Sequence, residues 1–246
     1  MSRNAICPER AAAPGVKRVT CGYRAAMTLR LALLGDSMAA GRGAARRTDA
    51  PGALLGDRLR DDGWSVTTQV LAVSGARSAD LAGQVDQARG WRPHVAVVII
   101  GANDLIHRTR AGDAARDLGD AVRRLHEVGC EVVVAPAPDL SALPDTPAGL
   151  KPMLRAASML LRDRQIIAAR AAGAHVADCD HGTAAAFSAD RSLFSADRFH
   201  PSSAGYAVIA DALYPAVSAA VTASRARASD KHAARGRRKV GAGSTR

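Results

Sequence analysis

Leu31-Ala32-Leu33-Leu34-Gly35-Asp36-Ser37 is the stretch whose reading decides the fold. An apolar run passes straight into Gly-Asp-Ser, so a buried strand is predicted to end on a serine hydroxyl. In open α/β sheets, ligands lie outside the carboxyl ends of the strands, which is where this serine emerges. The tripeptide alone decides little, because Gly, Asp and Ser also build plain strand-to-helix turns.

Outward from that stretch the pattern alternates. Strands are predicted at Leu29–Leu34, Val66–Val73, Val95–Ile100, Val132–Ala135 and His175–Ala177. Helices are predicted at Ala53–Asp61, Ala79–Arg89, Gly112–Val128, Pro152–Ala172 and Ser203–Thr222. Within Gly112–Val128, the residues Ala115, Leu118, Val122, Leu125 and Val128 recur at three- and four-residue spacing, which makes one apolar face. Gly129 follows in the position of a C-terminal cap. Near-continuous apolar strands alternating with helices imply a parallel sheet covered on both faces, a three-layer α/β/α arrangement. Right-handed crossovers make it doubly wound. The segment Ala137–Met153 carries Pro138, Pro144, Pro147 and Pro152 and follows the fourth strand at its carboxyl end. Too long and stiff for a simple connection, it is expected to form part of a substrate rim.

Three later segments share the placement of Ser37. Gly75 lies in Val73-Ser74-Gly75-Ala76-Arg77-Ser78, just past an apolar run, and Asn103 lies in Gly101-Ala102-Asn103-Asp104, just past another. His200 lies in Asp197-Arg198-Phe199-His200-Pro201, near the end of the expected folded part. With Ser, Gly, Asn and His in this order, the chain resembles the SGNH hydrolases, also called GDSL esterases/lipases, in all four of their sequence blocks. The resemblance covers roughly residues 29 to 223. It implies a five-stranded parallel sheet of flavodoxin-like order and an enzyme that cleaves ester bonds.

The residues themselves carry a matching chemistry. A serine hydroxyl is a weak nucleophile at neutral pH and needs an adjacent base. Of the seven histidines, His200 has the fitting companions. Asp197 lies three residues earlier, near enough to hold one ring nitrogen while the other faces a serine. Pro201 keeps His200 out of helical geometry, so the pair is expected on a loop. Donors for a developing oxyanion are also needed. Gly75 can bring its backbone N–H close because it lacks a Cβ, and Asn103 offers a side-chain amide. By resemblance, Ser37, Gly75 and Asn103 form the oxyanion hole; the plainer readings are a turn glycine and a helix N-cap. Asp36 and Asp104 are expected to fix their loops through backbone N–H groups.

The expected reaction is hydrolysis of a carboxylic ester or thioester through an acyl-enzyme on Ser37. The alternatives are acyl transfer to an acceptor hydroxyl in the same fold, and a binding protein acting on anionic polymer or a membrane surface through a basic tail. Gly41-Arg42-Gly43 lacks the third glycine and the distant acid of a dinucleotide fingerprint. His175, Asp178, Cys179, Asp180 and His181 lack a recognised ligand spacing. No cofactor and no metal is therefore expected.

The formal net charge of +11 belongs to the ends of the 246-residue chain. Residues 1–26 carry +4 and residues 224–246 carry +7, while 27–223 holds 21 basic and 21 acidic side chains. The expected organisation is a basic N-terminal arm (1–26), a hydrolase domain (27–223) and a basic C-terminal tail (224–246). Both ends are expected to be disordered, since they bury too little to offset ordering entropy. Weak, salt-sensitive contact of the tail with anionic lipid or nucleic acid follows from its charge. Four scattered cysteines do not make a disulfide framework. With no run of 18 apolar residues and no secretory signal pattern, a cytoplasmic protein without a transmembrane segment is expected.

Overall fold

In a computed structural model, residues 28–177 and 179–241 are described. The elements in chain order are β1 (Leu29–Gly35), α1 (Pro51–Asp61), β2 (Val66–Val70), α2 (Leu81–Trp91), β3 (Val95–Ile99), α3 (Ala102–Ile106) and α4 (Ala111–Glu127). They continue as β4 (Glu131–Ala135), α5 (Lys151–Ala171), β5 (His175–Val176), α6 (Cys179–Ala189) and α7 (Ser203–Gly241). The five strands pair in parallel in the order β2-β1-β3-β4-β5. This is the doubly wound sheet read from the alternating pattern, in the flavodoxin-like order that the family resemblance implies.

Successive strand residues point to opposite faces, and both faces are covered. On one, Leu31, Leu33, Val95, Val97 and Val133 pack under α1 and α7, which supply Leu55, Leu59, Tyr206, Leu213 and Val217. On the other, Ala32, Leu34, Ala96, Val98, Val132 and Val134 meet Leu81 and Val85 of α2 and Leu118, Val122 and Leu125 of α4. The heptad-like spacing along α4 therefore buries the face read from the sequence, and Gly129 follows it at φ +80° with its N–H on the His126 carbonyl.

Two short elements escape the pattern reading, α3 and α6. The strand predicted to reach Val73 ends at Val70, although the Leu71 and Val73 amides still donate to Leu33 and Gly35 of β1. β2 is an edge strand, and beyond Val70 the chain is already turning away.

The C-terminal tail departs from expectation. α7 does not end near Ala223 but continues to Gly241. Alanine, arginine and lysine are strong helix formers, and the first turns past Ala223 find partners. Ser224 is buried, and the Arg225 guanidinium lies 5.5 Å from the centre of the Trp64 ring. Arg227 Nη2 reaches Glu131 Oε1 at 2.5 Å. Glu131 opens β4 at the amino end of the sheet and is only 1 % exposed; its other neighbour is His175 Nε2 at 3.5 Å. The expected N-terminal arm, 1–26, and residues 242–246 lie outside the described residues, as do the side chains of Asp178, Asp180 and His181. By length and composition Ser203–Ser229 could cross a membrane. Its apolar residues Tyr206, Ile209, Leu213 and Val217 are instead spent on the sheet.

The Glu131–Arg227 pair has a measurable consequence. Arg227→Ala leaves a buried carboxylate with His175 alone. The expected loss is about 1–3 kcal/mol, below the full cost of breaking a buried pair because the arginine is half exposed. Urea unfolding checks it. Truncation after Ser229 is expected to change stability by less than about 0.5 kcal/mol, whereas truncation after Ala223 costs at least as much as Arg227→Ala.

Candidate active site

Ser37 leaves the carboxyl end of β1 because Gly35 allows it to. Gly35 has φ +128°, and a Cβ there would lie 1.8 Å from the Ile99 carbonyl oxygen of β3. Only glycine fits this approach. Gln84 of α2 holds the same residue from the other side: its Oε1 accepts from Gly35 N at 2.7 Å, and its Nε2 donates to Gly35 O at 2.9 Å. The turn that presents Ser37 is thus clamped by one buried side chain.

His200 Nε2 lies 2.8 Å from Ser37 Oγ, and His200 Nδ1 lies 2.7 Å from Asp197 Oδ2. Both Ser37 and His200 are 8 % exposed. The Asp197–His200 loop is closed at its base by an antiparallel bridge between Phe194 and Pro201 and by Ser195 N donating to His200 O at 2.8 Å. Arg198 takes φ +55° to make the tight turn inside it. Asp197 Oδ1 accepts from Ser195 Oγ, Phe199 N and His200 N at 2.7, 3.0 and 2.9 Å. Desolvation opposes ionisation of Asp197, but the His200 ring and these donors outweigh it and hold its carboxyl well below the usual carboxylate range. A carboxylate so held fixes the ring and favours a proton on Nδ1.

The loops of the candidate oxyanion donors adjoin the serine's turn: Val73 N donates to Gly35 O at 3.0 Å, and Asn103 lies beside Asp36. The backbone N–H groups of Ser37 and Gly75 donate to no protein acceptor among the described residues. Gly75 has φ +87°, and nothing lies within 4 Å of where a Cβ would be, so its loop faces open space. Asn103 is the second residue of α3, and the N-cap position belongs to Gly101. That removes the capping explanation for Asn103. Its side chain lies beside Asp36 and favours the ionised carboxylate there, and its amide carries two hydrogens to donate. Asp104, fully buried, accepts from Ser78 N and Ser78 Oγ at 3.0 and 2.8 Å and so ties the Gly75 loop to the Asn103 loop. The loop-fixing role expected of Asp36 and Asp104 is what these bonds describe.

Asp36 is buried and accepts from Met38 N at 2.9 Å. Burial, with the Asp104 charge adding to it, pushes its carboxyl up to about 6 against the pull of the Met38 and Asn103 bonds. Between pH 4 and 6 the folded chain therefore holds a proton at Asp36 that the unfolded chain has lost. Its contribution to stability is fully present below about pH 4 and fades as pH rises through 6. Asp36→Asn lacks this dependence. Relative to wild type, the variant is expected to gain about 1–3 kcal/mol between pH 4 and pH 7 in denaturant unfolding.

Two residues that sequence reasoning passed over join the serine and histidine segments. A Cβ on Gly43 would meet Pro201 O at 2.5 Å and His200 Cβ at 2.9 Å. Tyr206, fully buried on α7, donates its hydroxyl to Arg42 O at 2.6 Å. Gln84 left a readable trace, a polar residue on the apolar face of α2 between Leu81 and Val85. Gly43 and Tyr206 left none.

Beside the triad opens a cavity of about 800 Å³. Its near wall includes Met38, Ala102, Phe199 and Pro201, the chain neighbours of Ser37, Asn103 and His200. Pro138, Leu140, Leu143 and Pro144 of the proline-rich segment, expected from its sequence at a substrate rim, also line it.

Known proteins carry the same organisation. The sequence profile of the GDSL-like lipase/acylhydrolase family matches residues 33–208, a span that contains Ser37, Gly75, Asn103, Asp197 and His200. The chain is 38% identical over 196 residues to the GDSL-like esterase Rv1075c of Mycobacterium tuberculosis, covering 78% of this chain and 62% of that protein. It thus spans less than two thirds of that relative's length. Among solved structures, TesA superposes with a TM-score of 0.63 at 19% identity, over 78% of this chain and 99% of TesA. The psychrotrophic esterase EstA from Pseudoalteromonas sp. gives 0.61 at 17% identity, over 77% of this chain and 96% of EstA. At these identities the superpositions speak for the fold, and the profile match, which spans most of the chain, speaks for the family. The chain belongs to the GDSL-like lipase/acylhydrolase family.

Proposed function

We propose that this protein is a serine esterase that hydrolyses a carboxylic ester or thioester through an acyl-enzyme on Ser37. The observation that carries the reading is the continuous chain of bonds from Ser37 Oγ through the His200 ring to Asp197, at 2.8 and 2.7 Å, beside a cavity at the carboxyl end of the sheet. His200 Nε2 takes the serine proton as Oγ attacks the acyl carbon. The negative charge that develops on the carbonyl oxygen is met by Ser37 N, Gly75 N and the Asn103 amide. As the intermediate collapses, the C–O or C–S bond breaks and His200 returns the proton to the leaving alcohol or thiol. Water, deprotonated by the same nitrogen, then releases the acid. Asp197 holds Nδ1–H and stabilises the imidazolium in both halves of the cycle.

The test is turnover of matched oxygen and thiol esters by purified full-length protein, with a fluorophosphonate label as the second readout. Hydrolysis together with labelling of Ser37 supports the reading. An absence of both in folded protein overturns it. Adding an acceptor alcohol to the same assay separates the two fates of the acyl-enzyme: a new ester product means acyl transfer. The basic turns of α7 beyond Ala223 are proposed to give weak attraction to anionic vesicles that fades with salt.

A further inference from the structure

The cavity beside Ser37 is apolar along most of its wall, with Met38, Ile99, Leu140, Phe187 and Ile209 among its residues. Its ionisable groups are unequal in sign: Lys151, Arg155, Arg162 and Arg191 against the single acid Asp139. Residues 27–223 as a whole carry equal numbers of basic and acidic side chains, so this imbalance is local to the cavity. Asp139 offsets one of the four positive charges, and its Oδ1 accepts from Ser141 N at 2.9 Å. Arg162 is engaged with a neighbour. Lys151, Arg155 and Arg191 are exposed, and none of them forms an ion pair among the described residues.

Their placement suits an anion. Lys151 opens α5, where the helix dipole is positive, and no acid occupies the first turn. Arg155 follows one turn later, and Arg191, in the segment after α6, lines the same cavity. Four arginines elsewhere on the surface, Arg46, Arg60, Arg116 and Arg123, each hold an aspartate three residues away.

We propose that the cavity selects esters whose bound half carries an anionic group at the end of an apolar stem, the stem lying on the apolar wall and the anion meeting Lys151, Arg155 and Arg191. This rests on the esterase reading for its catalytic consequence, but the binding preference is testable without turnover. The shared chemistry is an anion on an apolar stem; a carboxylate and a phosphate are its two sources.

Matched esters of equal chain length test it: the 4-nitrophenyl half-ester of suberic acid and the 4-nitrophenyl ester of 8-(phosphonooxy)octanoic acid, each against 4-nitrophenyl octanoate. The charged member is expected to have a kcat/KM roughly tenfold higher at low salt, with the ratio falling toward one at about 1 M salt. The pair with the larger ratio identifies which anion the site prefers. Arg155→Gln combined with Arg191→Gln is expected to bring the ratio within about twofold of unity, and Arg155→Glu to bring it below one. Calorimetric binding of suberic acid monomethyl ester and methyl octanoate to Ser37→Ala supplies the arm that needs no catalysis. Tighter binding of the charged ligand, lost in the double glutamine variant, supports the proposal even if no ester is turned over, an outcome that sinks only the esterase reading. Equal binding, or a charged-to-neutral ratio near one at low salt, overturns the proposal.

Discussion

Ser37→Ala and His200→Ala are each expected to lower ester turnover by roughly 10⁴–10⁶-fold while leaving the protein folded. The two side chains form one bonded unit, joined at 2.8 Å, and the unit loses its function when either end is removed. The double variant is therefore expected to lose little more than either single one, since residues acting as a unit are far from additive. Stability is little involved. Ser37 lies past the end of β1 and His200 in a loop, so neither anchors the apolar layers. Single-turnover kinetics and thermal unfolding on the same samples check both halves of the statement. A folded Ser37→Ala protein with near-normal turnover would show that the nucleophile lies elsewhere.

Asn103→Ala is expected to lower kcat by roughly 10²–10³ with KM nearly unchanged, because an oxyanion donor acts mainly on the charge of the transition state. The side chain also lies beside Asp36 and favours its ionised form, so a second variant separates the two roles. Asn103→Asp keeps an acceptor-sized group but places a carboxylate beside the buried Asp36 and removes the amide donor. It is expected to lose at least as much kcat as Asn103→Ala. A loss confined to KM, or one that tracks unfolding, would leave Asn103 as a loop residue that serves only the Asp36 turn.

The depth to which the site was legible differs by residue. Asp197 and His200 are three apart on a short loop, so the bond at 2.7 Å follows from local geometry once a tight turn is granted. Ser37 and His200 are 163 residues apart, and nothing in either neighbourhood specifies that they meet. That pairing came from the family resemblance in the sequence and from the packing of α7 on the sheet in the structure. Asn103 looked equally like a helix cap until Gly101 took that position at φ +136°.

What the sequence determined by itself is the set of features that obey short-range rules. Apolar runs bounded by Gly and Asp made the strands, three- and four-residue spacing made α4, and a run ending on Gly35-Asp36-Ser37 placed the serine at a strand's carboxyl end. Tertiary structure decided the rest. Gly43 against His200, Tyr206 on the Arg42 carbonyl, Gln84 around Gly35 and Arg227 on Glu131 each join residues that are distant in the chain. Residue type alone predicts none of them, because a glycine, tyrosine, glutamine or arginine is compatible with many neighbours and the neighbour is chosen by how the layers pack. The tail shows this most directly. Its composition reads as too polar to order itself, yet its first turn past Ala223 is anchored because a buried carboxylate and a tryptophan ring lie where Arg227 and Arg225 arrive.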